Sequence, residues 1–374
     1  MLNKLSKIIK DLWWKSGNHK SLTFFEKYLF ACLRFFEFFY KVGFKVVQSI
    51  KIYRGQKTVS GLKIISVGNL TVGGTGKTVF IQFLATFLDV SKCAIVSRGY
   101  ASRSTGKNLL VCDGKNIYHS PEECGDEPYM LAQALKIVTA TGSNRFNSCL
   151  LVRELWGKIE YVLLDDGYQN YQLKKDLDIL IVDARFPLGF NGLCLPAGNL
   201  READYLRADL IIVSHADLVT SDQIDKIKTQ IFDKFDADKI LLGKHRAVGL
   251  FQAGDTQMPS EYFENKKFMI AAGIGSFSGF VESVENFGIK VGKCLEFEDH
   301  HSYSSQDIDQ IIQDMTQKKM DGVVVTQKDW VKLSKIISDE DRLKIFVFRI
   351  EFEFLYQSQY SLFSQFLSSK LDLF

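Results

Sequence analysis

The chain has 374 residues, 46% of them hydrophobic and 24% charged, which is enough to bury a sizeable core in one large or two smaller domains. Its formal net charge is only +3, which excludes the global basic field of a nucleic-acid-binding protein. None of its seven cysteines forms a C-x-x-C pair, so the pattern speaks against a zinc site or a disulfide framework and for a reducing compartment.

The charge is unevenly spread. Residues 1–54 hold eleven Lys or Arg against three acids (Asp11, Glu26, Glu37), a net of +8; the other 36 bases and 41 acids leave the rest at −5. The same segment is aromatic, with Trp13, Trp14, Phe24, Phe25, Tyr28, Phe30, Phe35, Phe36, Phe38, Phe39, Tyr40 and Phe44. Glu26, Lys27, Arg34, Glu37, Lys41 and Lys45 interrupt it, so it lacks the roughly 20 uncharged apolar residues of a spanning helix. Arg34, Glu37, Lys41 and Lys45 follow helical spacing and share one face. One reading is a core-packed helix whose polar stripe faces water. The other, which the basic and aromatic composition favours, is an interfacial helix on an anionic membrane surface. No small-residue cleavage site follows, so a signal peptide is not expected.

Next, Lys63–Gly68 reads as a buried strand and Lys77–Leu88 as a helix, with a glycine-rich turn between them. The turn ends in Gly76-Lys77-Thr78, the end of a phosphate-binding loop. Gly73, Gly74 and Gly76 allow backbone amides to approach phosphate oxygens, Lys77 would neutralise the β- and γ-phosphates, and Thr78 would ligate Mg²⁺. The strict pattern fails at Thr71, where a glycine is usual. Further apolar runs at Cys93–Ser97, Leu109–Cys112, Tyr161–Leu164, Asp178–Val182 and Asp209–Val213 alternate with helical stretches. Such runs predict an α/β fold, a P-loop NTPase-like, mostly parallel sheet flanked by helices. The run Tyr161–Gly167 ends in Asp165-Asp166, the strand-end acids that hold the metal in P-loop enzymes. Two consecutive acids reach one site only where a strand gives way to a loop, which Gly167 permits.

A weaker second set of runs at Phe268–Ala272, Gly322–Thr326 and Ile345–Ile350, with helices over Ser278–Phe287 and Ser304–Met320, predicts a smaller α/β lobe. The boundary is placed near Gly243–Gln257, where turn-forming and charged residues gather. The expected organisation is a membrane-associating helical segment over 1–54, a P-loop core over 55–245 and a C-terminal lobe over 246–374.

Among P-loop classes, the membrane-associated switch ATPases place a lysine before the paired glycines, where this chain has Val72. A switch without a small-molecule acceptor therefore remains only the alternative. The guanine-recognition element Asn-Lys-x-Asp is absent: Ser214–Asp217 (SHAD) follows a strand as that element would, and Thr326–Asp329 (TQKD) has its lysine displaced. Adenine is the default.

Seven blocks in order resemble the tetraacyldisaccharide 4'-kinases: VGNLTVGGTGKT (Val67–Thr78), SRGY (Ser97–Tyr100), GDEP (Gly125–Pro128), LDDGYQN (Leu164–Asn170), LPAGNLRE (Leu195–Glu202), DHHSY (Asp299–Tyr303) and VTQKD (Val325–Asp329). The non-glycine at Thr71 belongs to that family's variant of the loop. Departures are Asn170 where the family has His, Asn199 in place of Pro, and Val79 where Pro is common. The resemblance implies transfer of the γ-phosphoryl group of ATP to the 4'-hydroxyl of a tetraacylated glucosamine disaccharide 1-phosphate in lipid A biosynthesis. It implies a nucleotide loop of Asn69, Thr71, Val72, Gly73, Gly74, Thr75, Gly76, Lys77 and Thr78, and Asp126 as the base assisted by His300; His301 would be equally eligible without it. It further implies that Thr78, Glu127, Asp165 and Asp166 surround Mg²⁺, and that Arg98 and Arg201 hold transferring or substrate phosphate, with Lys328 a further candidate. The expected partners are the lipid A disaccharide precursor and an anionic membrane surface; no obligate protein partner is evident. The expected location is the cytoplasmic face of an inner membrane, peripheral or anchored by the N-terminal segment.

Overall fold

The computed structural model describes residues 2–18, 20–99, 108–155 and 157–372. Strand β1 (Lys63–Gly68) is buried beyond its first residue. It lies between two parallel partners, β5 (Tyr161–Asp165) and β6 (Leu177–Asp183). Outward from β5 come β2 (Cys93–Ser97), β4 (Val138–Thr141) and the antiparallel edge β3 (Leu109–Asp113); outward from β6 comes β7 (Leu210–Ser214). These strands are apolar on both faces because both are covered. On one face, Ile65, Val67, Leu163 and Ile179 pack on α3 (Lys77–Phe87); on the other, Ile64, Val96, Val162 and Leu164 pack on Cys149 and Val152 of α6 (Arg145–Leu155). Helices α4 (Pro121–Cys124) and α5 (Asp126–Leu135) lie between β3 and β4 in the chain, and α7 (Ser221–Lys226) follows β7.

The stretch expected to be a domain junction is strand. Residues Ile240–Gln252 form β8, whose first residues pair parallel with β7 and whose remainder pairs antiparallel with β13 (Ile345–Phe354). Beyond β13 lie β12 (Gly322–Thr326), β10 (Lys267–Ala272) and β11 (Lys290–Glu296), while the short β9 (Thr256–Gln257) pairs with β8. The sheet therefore runs through both lobes without a linker. Helices α8 (Phe277–Asn286), α9 (Ser305–Gln317), α10 (Gln327–Leu333) and α11 (Asp339–Arg342) belong to the second half. Helix α12 (Ser358–Leu371) returns to the first lobe, where Phe363, Leu367 and Leu371 join the core under α3. There Phe80 meets Phe352 at 4.9 Å and Phe354 meets Phe363 at 5.2 Å between ring centres. Offset and edge-on aromatic contacts of this kind fix α3, which carries Lys77 at its start, against the second lobe's long strand.

The N-terminal segment is two helices, α1 (Leu2–Gly17) and α2 (Phe24–Tyr53), the second opened by a Thr23–Glu26 capping box. Of its charged stripe only Glu37 is buried; Arg34, Lys41 and Lys45 stay exposed. Glu37 is 2% exposed, pairs with Arg34 (2.9 Å) and Lys41 (2.6 Å), and accepts the backbone N–H of Cys194 at 2.9 Å. Trp13 Nε1 donates to Pro196 O and Tyr40 Oη to Arg201 O, both at 2.9 Å. The outward face is apolar: Phe35, Phe36, Phe38 and Phe39 are 55–64% exposed, flanked by Phe24, Phe25, Tyr28, Val42, Val46, Val47 and Ile50. No helix among the described residues is long and apolar enough to cross a membrane.

Candidate active site

The loop from β1 to α3 is shaped by its glycines and by a strap from Leu195–Glu202. Gly76 caps α3 in a left-handed conformation (φ 83°), and a Cβ there would meet the His245 ring at 2.5 Å, so only glycine fits. Burial pushes the His245 imidazole down to about 3, so it packs there as a neutral ring. Val72 N donates to Asn199 O at 2.8 Å, Arg201 N to Leu70 O at 2.7 Å, and Ser214 Oγ to Thr75 O at 2.9 Å. Asn69 Nδ2 reaches Thr71 Oγ1 and Gly73 O at 3.4 Å, so Thr71 is part of the loop's internal bracing. Asn69 Oδ1 and Thr75 Oγ1 are buried with no hydrogen-bond partner among the described residues, polar atoms that await a ligand or water.

The β-register sets Val67 beside Asp165, so the two acids lie next to the loop. Asp166, left-handed at φ 52°, turns away from the strand. Its carboxylate takes Arg201 Nη1 at 2.7 and 3.0 Å and Lys77 Nζ at 3.7 Å. Burial works to raise its pKa, but Lys77 and Arg201 hold it below the ordinary carboxylate value. Asp165 points elsewhere. Its Oδ2 accepts from Ser97 Oγ at 3.0 Å, and its Oδ1 is buried with no hydrogen-bond partner among the described residues. Burial, with Glu127 and Asp166 adding negative charge, raises it to about 7. A carboxylate so penalised suits a bound cation. No three acidic, His or Cys side chains among the described residues form a ready cage. That is the pattern Mg²⁺ tolerates, since it binds through one or two carboxylates plus phosphates and water.

Glu127 opens α5 beside Asp126, which follows the left-handed Gly125. Across the lobes, His300 Nδ1 lies 3.5 Å and Lys332 Nζ 2.7 Å from Asp126 Oδ2. Burial raises the Asp126 carboxyl, yet His300 and Lys332 leave it below its ordinary value, so it is held as an anion. The structure separates the two neighbouring histidines. His301 packs its ring on Phe297 at 4.8 Å and lies 3.3 Å from Asp307, within its own lobe, while His300 faces Asp126.

Residues 29–371 match the family described as tetraacyldisaccharide-1-P 4'-kinase, LpxK. The tetraacyldisaccharide 4'-kinase of Halothermothrix orenii is 34% identical over 288 residues, 73% of this chain and 74% of the relative. That of Syntrophus aciditrophicus is 31% identical over 343 residues, 87% and 89% of the two chains. The chain belongs to the tetraacyldisaccharide 4'-kinase family. In fold it is similar to the crystal structure of LpxK from Aquifex aeolicus in complex with ATP, with a TM-score of 0.71 and 27% identity over 90% of this chain and 99% of that one.

As a kinase of this family, the protein brings most of its expected site residues to one region. Asp166 contacts both Lys77 of the P-loop and Arg201, its neighbour Asp165 bonds Ser97, and Glu127, next to Asp126, adds its negative charge at Asp165. Arg98 is exposed beyond β2. Tyr100 of the SRGY block lies outside the described residues. Asn170, at the family's His position, accepts from Gln172 N (3.1 Å) and Leu173 N (3.2 Å), which commits its side chain to a local turn. Asn199 fixes the strap, accepting Phe190 N at 2.9 Å. Two residues were missed. Arg145 is buried near Asp165, its Nη1 donating to Gly142 O at 3.1 Å. Lys332 touches Asp126 directly. Neither sits in a motif, and an Arg before Phe or a Lys on an amphipathic helix carries no signal in one sequence.

Proposed function

We propose that the γ-phosphoryl group of ATP is transferred to the 4'-hydroxyl of a tetraacylated glucosamine disaccharide 1-phosphate with Asp126 as the base. The observation that carries this is the continuity of the two halves of the site. Lys77 reaches Asp166, its neighbour Asp165 feels Glu127, and Glu127 adjoins the Asp126–His300 pair. A hydroxyl is a poor nucleophile until a positioned base accepts its proton, and Asp126 is held anionic for that task. The loop amides and Lys77 grip the β- and γ-phosphates, and Arg201 and Arg98 supply positive charge where negative charge develops. Thr78, Asp165, Asp166 and Glu127 are the residues that would hold Mg²⁺. When bound, that ion neutralises phosphate charge.

The acceptor is a glycolipid in a membrane leaflet, so the kinase works at the surface of an anionic membrane. The apolar outward face of α2 supplies the docking area, and the exposed Lys27, Lys41, Lys45 and Arg54 supply the headgroup contacts. ATP as the donor and the cysteine pattern favour the cytoplasmic side for that surface. The core over 55–245 and the lobe over 246–374 then close on the nucleotide around β8.

The test is a radiolabel assay with γ-labelled ATP, Mg²⁺ and the tetraacylated disaccharide 1-phosphate presented in detergent micelles or vesicles. Label on the glycolipid is the expected result. Release of phosphate with an unlabelled glycolipid refutes the reading.

A further inference from the structure

We propose that two lysines one helical turn apart on α10, Lys328 and Lys332, are positioning residues that hold Asp126 and His300 in register and set the tautomer of His300. The proposal rests on the assignment of Asp126 as the base. Both ammonium groups lie on one face of the helix and neither is a surface lysine: their side chains are 17% and 10% exposed. Burying a lysine this far is unfavourable unless its charge is matched. Each is matched at the same place.

Lys332 Nζ donates to Asp126 Oδ2 at 2.7 Å and to His301 O at 2.9 Å. One ammonium therefore grips the carboxylate in the first lobe and the backbone that carries His300 in the second. Lys328 Nζ lies 3.2 Å from His300 Nε2 and 3.2 Å from Asp299 Oδ1. An ammonium has three protons and no lone pair, so it only donates. Nε2 must then accept, which leaves the ring proton on Nδ1, facing Asp126 Oδ2 at 3.5 Å. In this state the imidazole has no free basic nitrogen toward Asp126. The carboxylate is left to take the proton from the acceptor hydroxyl, and His300 orients it. The backbone serves the same end: Thr326 caps α10, and Asp329 fixes the helix to Gly273 N (3.1 Å) and Tyr303 Oη (2.9 Å). This rigid mount gives TQKD, in which no guanine-reading pattern was found, a purpose in the site.

The experiment combines kinetics with ¹⁵N spectroscopy of the full-length protein labelled at its six histidines. Lys332→Met is expected to lower kcat about 10- to 100-fold, with the KM for ATP changed by less than about twofold. Lys332→Arg, which keeps a cation in reach, recovers part of that loss. The wild-type His300 signal, identified by its absence in His300→Gln, is expected to show a protonated Nδ1, and Lys328→Met shifts it toward the Nε2-protonated form. A Lys332→Met enzyme with wild-type kcat, or a His300 with its proton on Nε2 in the wild type, overturns the proposal while leaving the kinase assignment intact. A wild-type protein that does not label the disaccharide overturns the kinase assignment instead, and the tautomer measurement still decides the clamp. Should Lys332→Met fail to fold, Lys332→Arg and the Lys328→Met spectrum carry the decision.

Discussion

Asp126 and His300 lie 3.5 Å apart, carboxylate oxygen to imidazole nitrogen, although 174 residues separate them and each belongs to a different lobe. A base held in this way from the far end of the chain needs only the correct placement of its substrates. Asp126→Asn keeps the shape and removes the basic oxygen. Its kcat is expected to fall about 10²- to 10⁴-fold, with KM for ATP little changed. His300→Ala leaves the base but not its orientation, so its loss should be smaller, and the double variant should be no worse than Asp126→Asn alone. A steady-state double-mutant cycle checks this, and simple multiplication of the two effects would contradict it.

Asp166 is shared by two cations, Arg201 and Lys77. On the proposed reading, a bound phosphate would take Lys77 from Asp166 while Arg201 would still hold that carboxylate. Arg201→Ala frees Asp166 to pair fully with Lys77. Nucleotide binding should weaken, and kcat/KM is expected to drop about 10²- to 10³-fold. Arg201→Lys, which lacks the planar fork, should recover only part. Fluorescent-nucleotide titration beside turnover measurements separates the two effects.

The first-lobe strands were legible because burial on both faces leaves an apolar run, and the Gly76-Lys77-Thr78 turn fell between two such elements. Where the sequence misled, polar residues were satisfied by distant partners. Among the charged residues near the expected boundary, Lys244 and Arg246 are strand residues that face Glu353 and Glu351 across the antiparallel pair at 3.5 and 3.1 Å. The burial of Glu37 could not be read from its spacing because its partner, Cys194 N, lies 157 residues away. Strand β4 has only four residues, two of them Thr, too short for periodicity to register. In the site, the motif acids could be found from local pattern, whereas Lys332 and Arg145 act through tertiary contacts alone.

Asp165 carries a cost that a bound cation would relieve. Its folded-state pKa, about 7, lies well above the ordinary carboxylate value of 3.8. Between those two values the folded protein binds a proton that the unfolded chain does not, so stability falls as pH rises through this window and levels off above it. Asp165→Asn removes the penalty. In the absence of Mg²⁺ the variant is expected to be more stable than wild type by about 1–3 kcal/mol at pH 8 and nearly equal to it near pH 4. It should also lose Mg²⁺-dependent turnover, the trade of stability for function expected where like charges are gathered for a ligand. Urea denaturation at several pH values, with and without Mg²⁺, measures both. A wild type that outlasts the variant at pH 8 without metal would show that Asp165 is not strained there.

The two faces of α2 make opposite demands, and they can be broken separately. Glu37 points inward, and Glu37→Ala leaves Cys194 N–H buried without its acceptor and Arg34 and Lys41 without their anion. The expected cost is about 1–3 kcal/mol of stability, seen as a lower urea midpoint. Vesicle association should survive, since the outward face is unchanged. Phe35, Phe38 and Phe39 point outward and touch only one another and Phe36 among the aromatic rings, so replacing all three with Ser removes mostly exposed apolar area. Stability should move by less than about 0.5 kcal/mol, because exposed substitutions remove no packing. Flotation with vesicles containing anionic lipid should fall about 10²-fold or more, given about 1.5–3 kcal/mol for each phenyl ring buried in an apolar phase. Turnover of a soluble, short-chain acceptor analogue should be unaffected in the triple variant, while turnover of the vesicle-borne acceptor drops. If both acceptors suffered equally, the aromatic face would be serving the fold and not the membrane.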